Sequence, residues 1–124
     1  MTADCLGSVE AVAGTLRDAH TIGVVGHVGP DGDALGSMIA LALGARNAGK
    51  EAVASFAEPF VVPAEMSFLD TSTLVPPSDY PTNLDVAVAV DTSVPERVGS
   101  LAGAMGKAGT LVVIDQFEET FTQP

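Results

Sequence analysis

Basic residues are scarce in this chain: five Lys and Arg stand against 16 Asp and Glu, a net charge of −11 over 124 residues. Long-range electrostatics therefore give no help with a polyanion, and a nucleic-acid substrate would need bound metal or a partner surface. There is no Trp and only one Tyr, which argues against a stacking platform for single strands. Cys5 is the only cysteine; it has no partner for an internal disulfide and suits a reducing cytoplasm. No long apolar run is present either. The richest, Met38 to Leu43, is far too short to span a bilayer. The opening Met1-Thr2-Ala3-Asp4-Cys5 lacks the basic flank and apolar core of a secretory leader. Repeats and low-complexity segments are missing too. These absences lead to the expectation of one acidic, cytoplasmic domain with no membrane partner, long enough for a core of ordinary size.

The apolar residues that are present recur in two patterns. Val9, Val12 and Leu16 lie at helical spacing and predict a helix from Val9 to Arg17. Ile22 to Val25 reads as a buried strand. Ala34 to Ala48 is apolar nearly all round, which predicts a helix buried on most faces and stopped at Gly49. Ala52 to Phe56 is a second strand candidate. Residues 59–81 hold five of the eight prolines and read as loop, with one helical turn near Glu65 to Leu69. Leu84 to Val90 is the clearest strand, interrupted only by Asp85. Pro95 suits the first turn of a helix running to Ala108, and Leu111 to Ile114 is a final strand. Continuous apolar strands alternating with helices indicate an α/β fold, a Rossmann-like, mostly parallel sheet with helices on both faces.

In such sheets ligands bind beyond the carboxyl ends of the strands, and here those ends carry acids. Asp31 and Asp33 follow Ile22–Val25, Asp91 follows Val90, and Asp115 follows Ile114. His27, Asp31 and Asp33 place one imidazole and two carboxylates within seven residues. That donor mixture favours Mn²⁺, with Mg²⁺ or Zn²⁺ less well matched. Gly29, Pro30 and Gly32 allow the tight turn that would aim the three inward. The competing reading is an Asp-Gly turn in which Asp33 merely caps the following helix and His27 is exposed. Asp91 could likewise cap the helix starting near Pro95, or could bridge two cations as a two-metal hydrolase requires. His20 reads as a surface residue at the end of the first helix. Arg97 reads as a structural partner for an acid, and Cys5 has no assigned role.

His27-Val28-Gly29-Pro30-Asp31-Gly32-Asp33-Ala34-Leu35-Gly36-Ser37 resembles the first motif of the DHH-family phosphoesterases. It resembles in particular the bacterial branch that degrades very short oligoribonucleotides and dephosphorylates 3′-phosphoadenosine 5′-phosphate. Val90-Asp91-Thr92-Ser93, with Arg97 six residues after the aspartate, resembles the second motif. Val113-Ile114-Asp115 stands where the third begins. The resemblance runs from about residue 21 to 115. It implies that His27, Asp31 and Asp91 hold one Mn²⁺ (or Mg²⁺), and that Asp33 with the bridging Asp91 holds half of a second. Asp91 and Asp33 are then the catalytic carboxylates, Asp115 orients the cluster, and the two metals activate a water for in-line attack on phosphorus. The implied substrates are short oligoribonucleotides or nucleotide phosphates, with a homodimer as one assembly.

After Asp115 the chain departs from the family pattern. Gln116-Phe117-Glu118-Glu119 replaces the two histidines of the third motif. The expectation is an incomplete N-terminal DHH domain over 1–124 with a divergent tail at 116–124, as a frameshift or truncation would leave, and without the C-terminal substrate-binding domain. Activity is then expected to be impaired. Two alternatives stand beside this reading. One is a non-catalytic remnant serving as a metal-binding or dimerising module. The other is a receiver-type phospho-acceptor, which would need a Lys after the last strand, whereas the nearest, Lys107, precedes it.

Overall fold

A computed structural model describes residues 9–27, 32–57, 59–62, 64–90 and 101–114, with the main chain alone at positions 9, 32, 33 and 65. Helix α1 spans Val9–Asp18, β1 Thr21–Gly26, α2 Gly32–Asn47, β2 Glu51–Phe56, β3 Val86–Val90, α3 Ala102–Gly106 and β4 Thr110–Ile114. Single 3₁₀ turns at Ala64–Met66 and Pro77–Asp79 punctuate the long connection from β2 to β3. The four strands form one parallel sheet in the order β2-β1-β3-β4.

Burial of both sheet faces explains the continuous apolar runs. On one face Ile22 and Val24 of β1, Ala52, Ala54 and Phe56 of β2, and Val86, Val88 and Val90 of β3 pack with Leu35, Met38, Ile39 and Ala42 of α2. Val12 and Leu16 of α1 join the same cluster. On the other face Val25, Ala87 and Ala89 meet Leu101 and Met105 from the α3 segment, together with Tyr80 and Leu84. Helices thus cover both faces, as the alternation predicts.

Several boundaries differ from those expected. Helix α2 starts at Gly32 and ends at Asn47, and it is not buried on most faces: Ser37, Ala40, Gly44 and Asn47 form an exposed stripe. Its end is set by Gly49, whose φ is +86°, with Gly49 N–H donating to Arg46 O at 2.9 Å and Lys50 N–H to Ala45 O at 3.1 Å. That is a Schellman closure, which requires the left-handed residue that glycine supplies.

The stretch read as loop carries more than one helical turn. Besides its two 3₁₀ turns, it runs beside β2 in the parallel sense, through a bridge between Ala54 and Leu74. Ala54 N–H donates to Thr73 O and Val75 N–H to Ala54 O, both at 2.9 Å. Arg46 covers the same edge, with Nε donating to Ala52 O at 2.8 Å.

Strand β3 begins at Val86, two residues later than Leu84, because Asp85 is engaged elsewhere. Its carboxylate accepts the main-chain N–H of His20 at 2.8 Å and of Thr21 at 3.3 Å. Its own N–H donates to the Thr21 hydroxyl at 2.8 Å. The helix predicted from Pro95 to Ala108 is seen only over Ala102–Gly106, since residues 91–100 lie outside the described ones.

Candidate metal centre

Strand order fixes the chemically useful edge. From β1 the chain crosses through α2 to β2 on one side, whereas β3 lies on the other side of β1 and leads on to β4. The carboxyl ends of β1 and β3 therefore flank the switch point, where open parallel sheets form a ligand crevice. The register puts these ends level: Val25 pairs with Ala89, and Val90 pairs with Ile114 of β4.

His27 leaves β1 at this edge and is buried, with 7% of its surface exposed. Burial keeps this imidazole off the open surface. Asp33 lies in the first turn of α2, six residues on from His27 and at the other stem of the same loop. Asp31, Asp91 and Asp115 fall outside the described residues, as do Arg97, Gln116 and Phe117. Asp91 follows Val90 directly in sequence, and Asp115 follows Ile114. Among the described residues no three His, Cys, Asp or Glu side chains converge.

The donors fit a divalent cation in type. A set of one imidazole and several carboxylates would suit Mn²⁺, and carboxylates alone would lean to Mg²⁺. His27 would supply the nitrogen, and Asp31, Asp33 and Asp91 the oxygens.

Two hollows among the described residues lie elsewhere. One, of about 360 Å³, runs between α1 and the second half of α2, over Leu16, Ile22, Leu41 and Ala45. The other, of about 170 Å³, sits at the amino edge of the sheet near Thr21, Glu51 and Asn83. The first is almost wholly apolar, and neither places a converging set of ligands. The crevice at the carboxyl edge is defined by topology instead.

Two features of the structure were not read from the sequence. Asp85 is an acid of the amino edge, at the opposite end of the sheet from His27. Main-chain N–H groups of His20 and Thr21 hold its carboxyl below the ordinary carboxylate range, aided by the charge and hydroxyl beside it. Its only sequence signal was a carboxylate interrupting an apolar strand. His20 is exposed as expected, and its main chain joins the strands: its N–H is held by Asp85 and its carbonyl accepts Glu51 N–H at 3.0 Å. The second feature is at Gly26, the residue before His27. A Cβ there would collide with Met38 Sδ and stand 3.3 Å from Cε and 3.5 Å from Cγ. Glycine just before the motif was the available signal.

The model of the DHH family, N-terminal domain, matches residues 21–122. The fold is similar to the crystal structure of an exopolyphosphatase-related protein from Bacteroides fragilis, with a TM-score of 0.74 and 21% sequence identity. The match covers 86% of this chain and 33% of that one, so the chain spans about a third of the length of that protein.

Proposed function

This chain belongs to the DHH family, and on that premise we propose that it is the cation-binding part of a phosphoesterase. Its substrates are short oligoribonucleotides or nucleotides such as 3′-phosphoadenosine 5′-phosphate. The observation that carries the reading is the placement of His27, a buried imidazole at the carboxyl end of β1 beside the switch point with β3.

In this reading His27, Asp31 and Asp91 hold one Mn²⁺, or Mg²⁺, and Asp33 with Asp91 contributes to a second. Bound there, the cations supply Lewis-acid stabilisation to charge developing on a phosphoryl group. The protein's own contribution is geometric. The imidazole is buried at the carboxyl edge, the first turn of α2 carries Asp33, and Asp91 follows β3 directly in sequence. Asp115 orients the carboxylates. With a net charge of −11, the chain repels a phosphate until cations neutralise this edge, so substrate binding depends on them.

Gln116 and Phe117 favour a second reading, a cation-binding module with little turnover. Neither residue replaces an imidazole ligand, and losing even an outer partner of a metal costs about 10–100-fold.

The first experiment titrates Mn²⁺ into the purified chain and follows the free-ion electron paramagnetic resonance signal. A saturable site is expected, reversed by EDTA and weakened at least about tenfold by His27→Ala. Absence of such a site, or indifference to His27→Ala, overturns the cation-centre reading. A dinucleotide, 3′-phosphoadenosine 5′-phosphate and inorganic polyphosphate are then offered with Mn²⁺. Slow hydrolysis of either of the first two, abolished by Asp91→Ala, supports the phosphoesterase. Exclusive cleavage of polyphosphate overturns the nucleotide assignment, and cation binding without any turnover selects the second reading.

A further inference from the structure

We infer that Met38 is a positioning residue for the cation centre: its thioether, seated against Gly26, sets the separation between the two stems of the ligand-bearing loop. The inference rests on the cation-binding reading above. Ile22 and Val24 of β1 face α2, and the alternation of the strand turns Gly26 to the same side. There the Met38 sulfur occupies the space that a Cβ of residue 26 would need. A side chain at residue 26 would therefore force the end of the Met38 side chain to shift.

The contact matters because of what lies beside it. His27 is the next residue after Gly26, and Asp33 precedes Met38 by five positions on α2, about 7.5 Å along the axis. One contact therefore ties together the stem that carries the imidazole of the first cation and the stem that carries a carboxylate of the second, the two cations sharing Asp91 in the reading above. Met38 is fully buried, packed in the cluster with Leu35, Ile39 and Ala42. Its flexible end has no solvent to retreat into, and close-packed interiors transmit such displacements rather than absorb them. Metal sites need their ligands held within about 0.5 Å.

The test measures Mn²⁺ affinity and thermal midpoint separately for Gly26→Ala, Met38→Leu and the double variant Gly26→Ala/Met38→Ala. Gly26→Ala is expected to weaken Mn²⁺ binding about tenfold or more. Removing the thioether in the same chain is expected to restore affinity to within about threefold of the wild type, although the midpoint falls further. Affinity and stability moving in opposite directions is a result that a purely structural role would not produce. Met38→Leu keeps the volume but puts a branched carbon against Gly26, so it should lose affinity with a midpoint near that of the wild type; it decides the matter if the double variant does not fold. Unchanged affinity in Gly26→Ala, or affinity that tracks the midpoint across the variants, overturns the inference. If the wild type itself shows no His27-dependent site, the underlying reading has failed instead.

Discussion

Asp85 illustrates how one exposed carboxylate can organise the start of a sheet. It accepts two main-chain N–H groups at the entrance to β1, and these hydrogen bonds favour its charged form. Its pKa in the folded chain therefore lies below that in the unfolded chain. The resulting stabilisation is complete above the unfolded value, about pH 4, and is lost as pH falls through the folded value. Asp70, held down chiefly by the Ser72 main-chain N–H at 2.9 Å and by the Ser72 hydroxyl, acts with the same sign. Asp85→Asn should lower the thermal midpoint at pH 7 and flatten its decline below about pH 4, as circular dichroism melts across pH will read. A decline as steep as that of the wild type would remove Asp85 from the acid limb.

Tyr80 makes the opposite case. Its ring packs over Gly23, where a Cβ would collide with the hydroxyl and with Leu84 Cδ1. The buried hydroxyl has no hydrogen-bond partner among the described residues, and burial pushes the phenol up. Tyr80→Phe should leave stability within about 1 kcal/mol of the wild type. Gly23→Ala should cost about 1–3 kcal/mol by overpacking. Urea midpoints separate the two, and a larger loss in Tyr80→Phe would reveal a partner for the hydroxyl.

At the scale of elements, α2 works through one buried side and one defined stop. Leu35 is fully buried while Ser37 is exposed. Leu35→Ala should cost about 2–5 kcal/mol and Ser37→Ala less than about 0.5 kcal/mol. Gly49→Ala should cost roughly 1–2 kcal/mol, because an L side chain is strained at that φ; equilibrium denaturation measures all three. The Gly49 stop was legible because a glycine after an apolar helical run has a local cause. The exposed stripe was not, since Ala and Gly are apolar by composition yet small enough to face solvent at little cost. The partial pairing of the Thr71–Val75 segment with β2 was illegible for a different reason: its partner Ala54 is remote in sequence.

For the whole molecule, a parallel sheet wound outward from β1 and β3 presents its loops at one edge. A cation that binds only the folded chain must stabilise it in proportion to the logarithm of its concentration. Mn²⁺ at about 100 times its Kd should therefore add about 2.7 kcal/mol, visible as a raised thermal midpoint that EDTA reverses. His27→Ala should remove most of that gain while leaving the metal-free midpoint less affected. A midpoint independent of Mn²⁺ would show that no folded-state cation site exists.

The chain's residues alone determine the kinds of element, the stop at Gly49 and the family, because each depends on neighbours or short spacings: apolar periodicity, a glycine after a helix, an imidazole and acids in one loop. Tertiary structure alone decided which strands are neighbours, that β1 and β3 meet at the switch point, that Asp85 braces the amino edge, and that Met38 fills the space left by Gly26. These follow from pairing between segments far apart in sequence. Such pairing is selected by burying two sheet faces at once, and no local pattern records it.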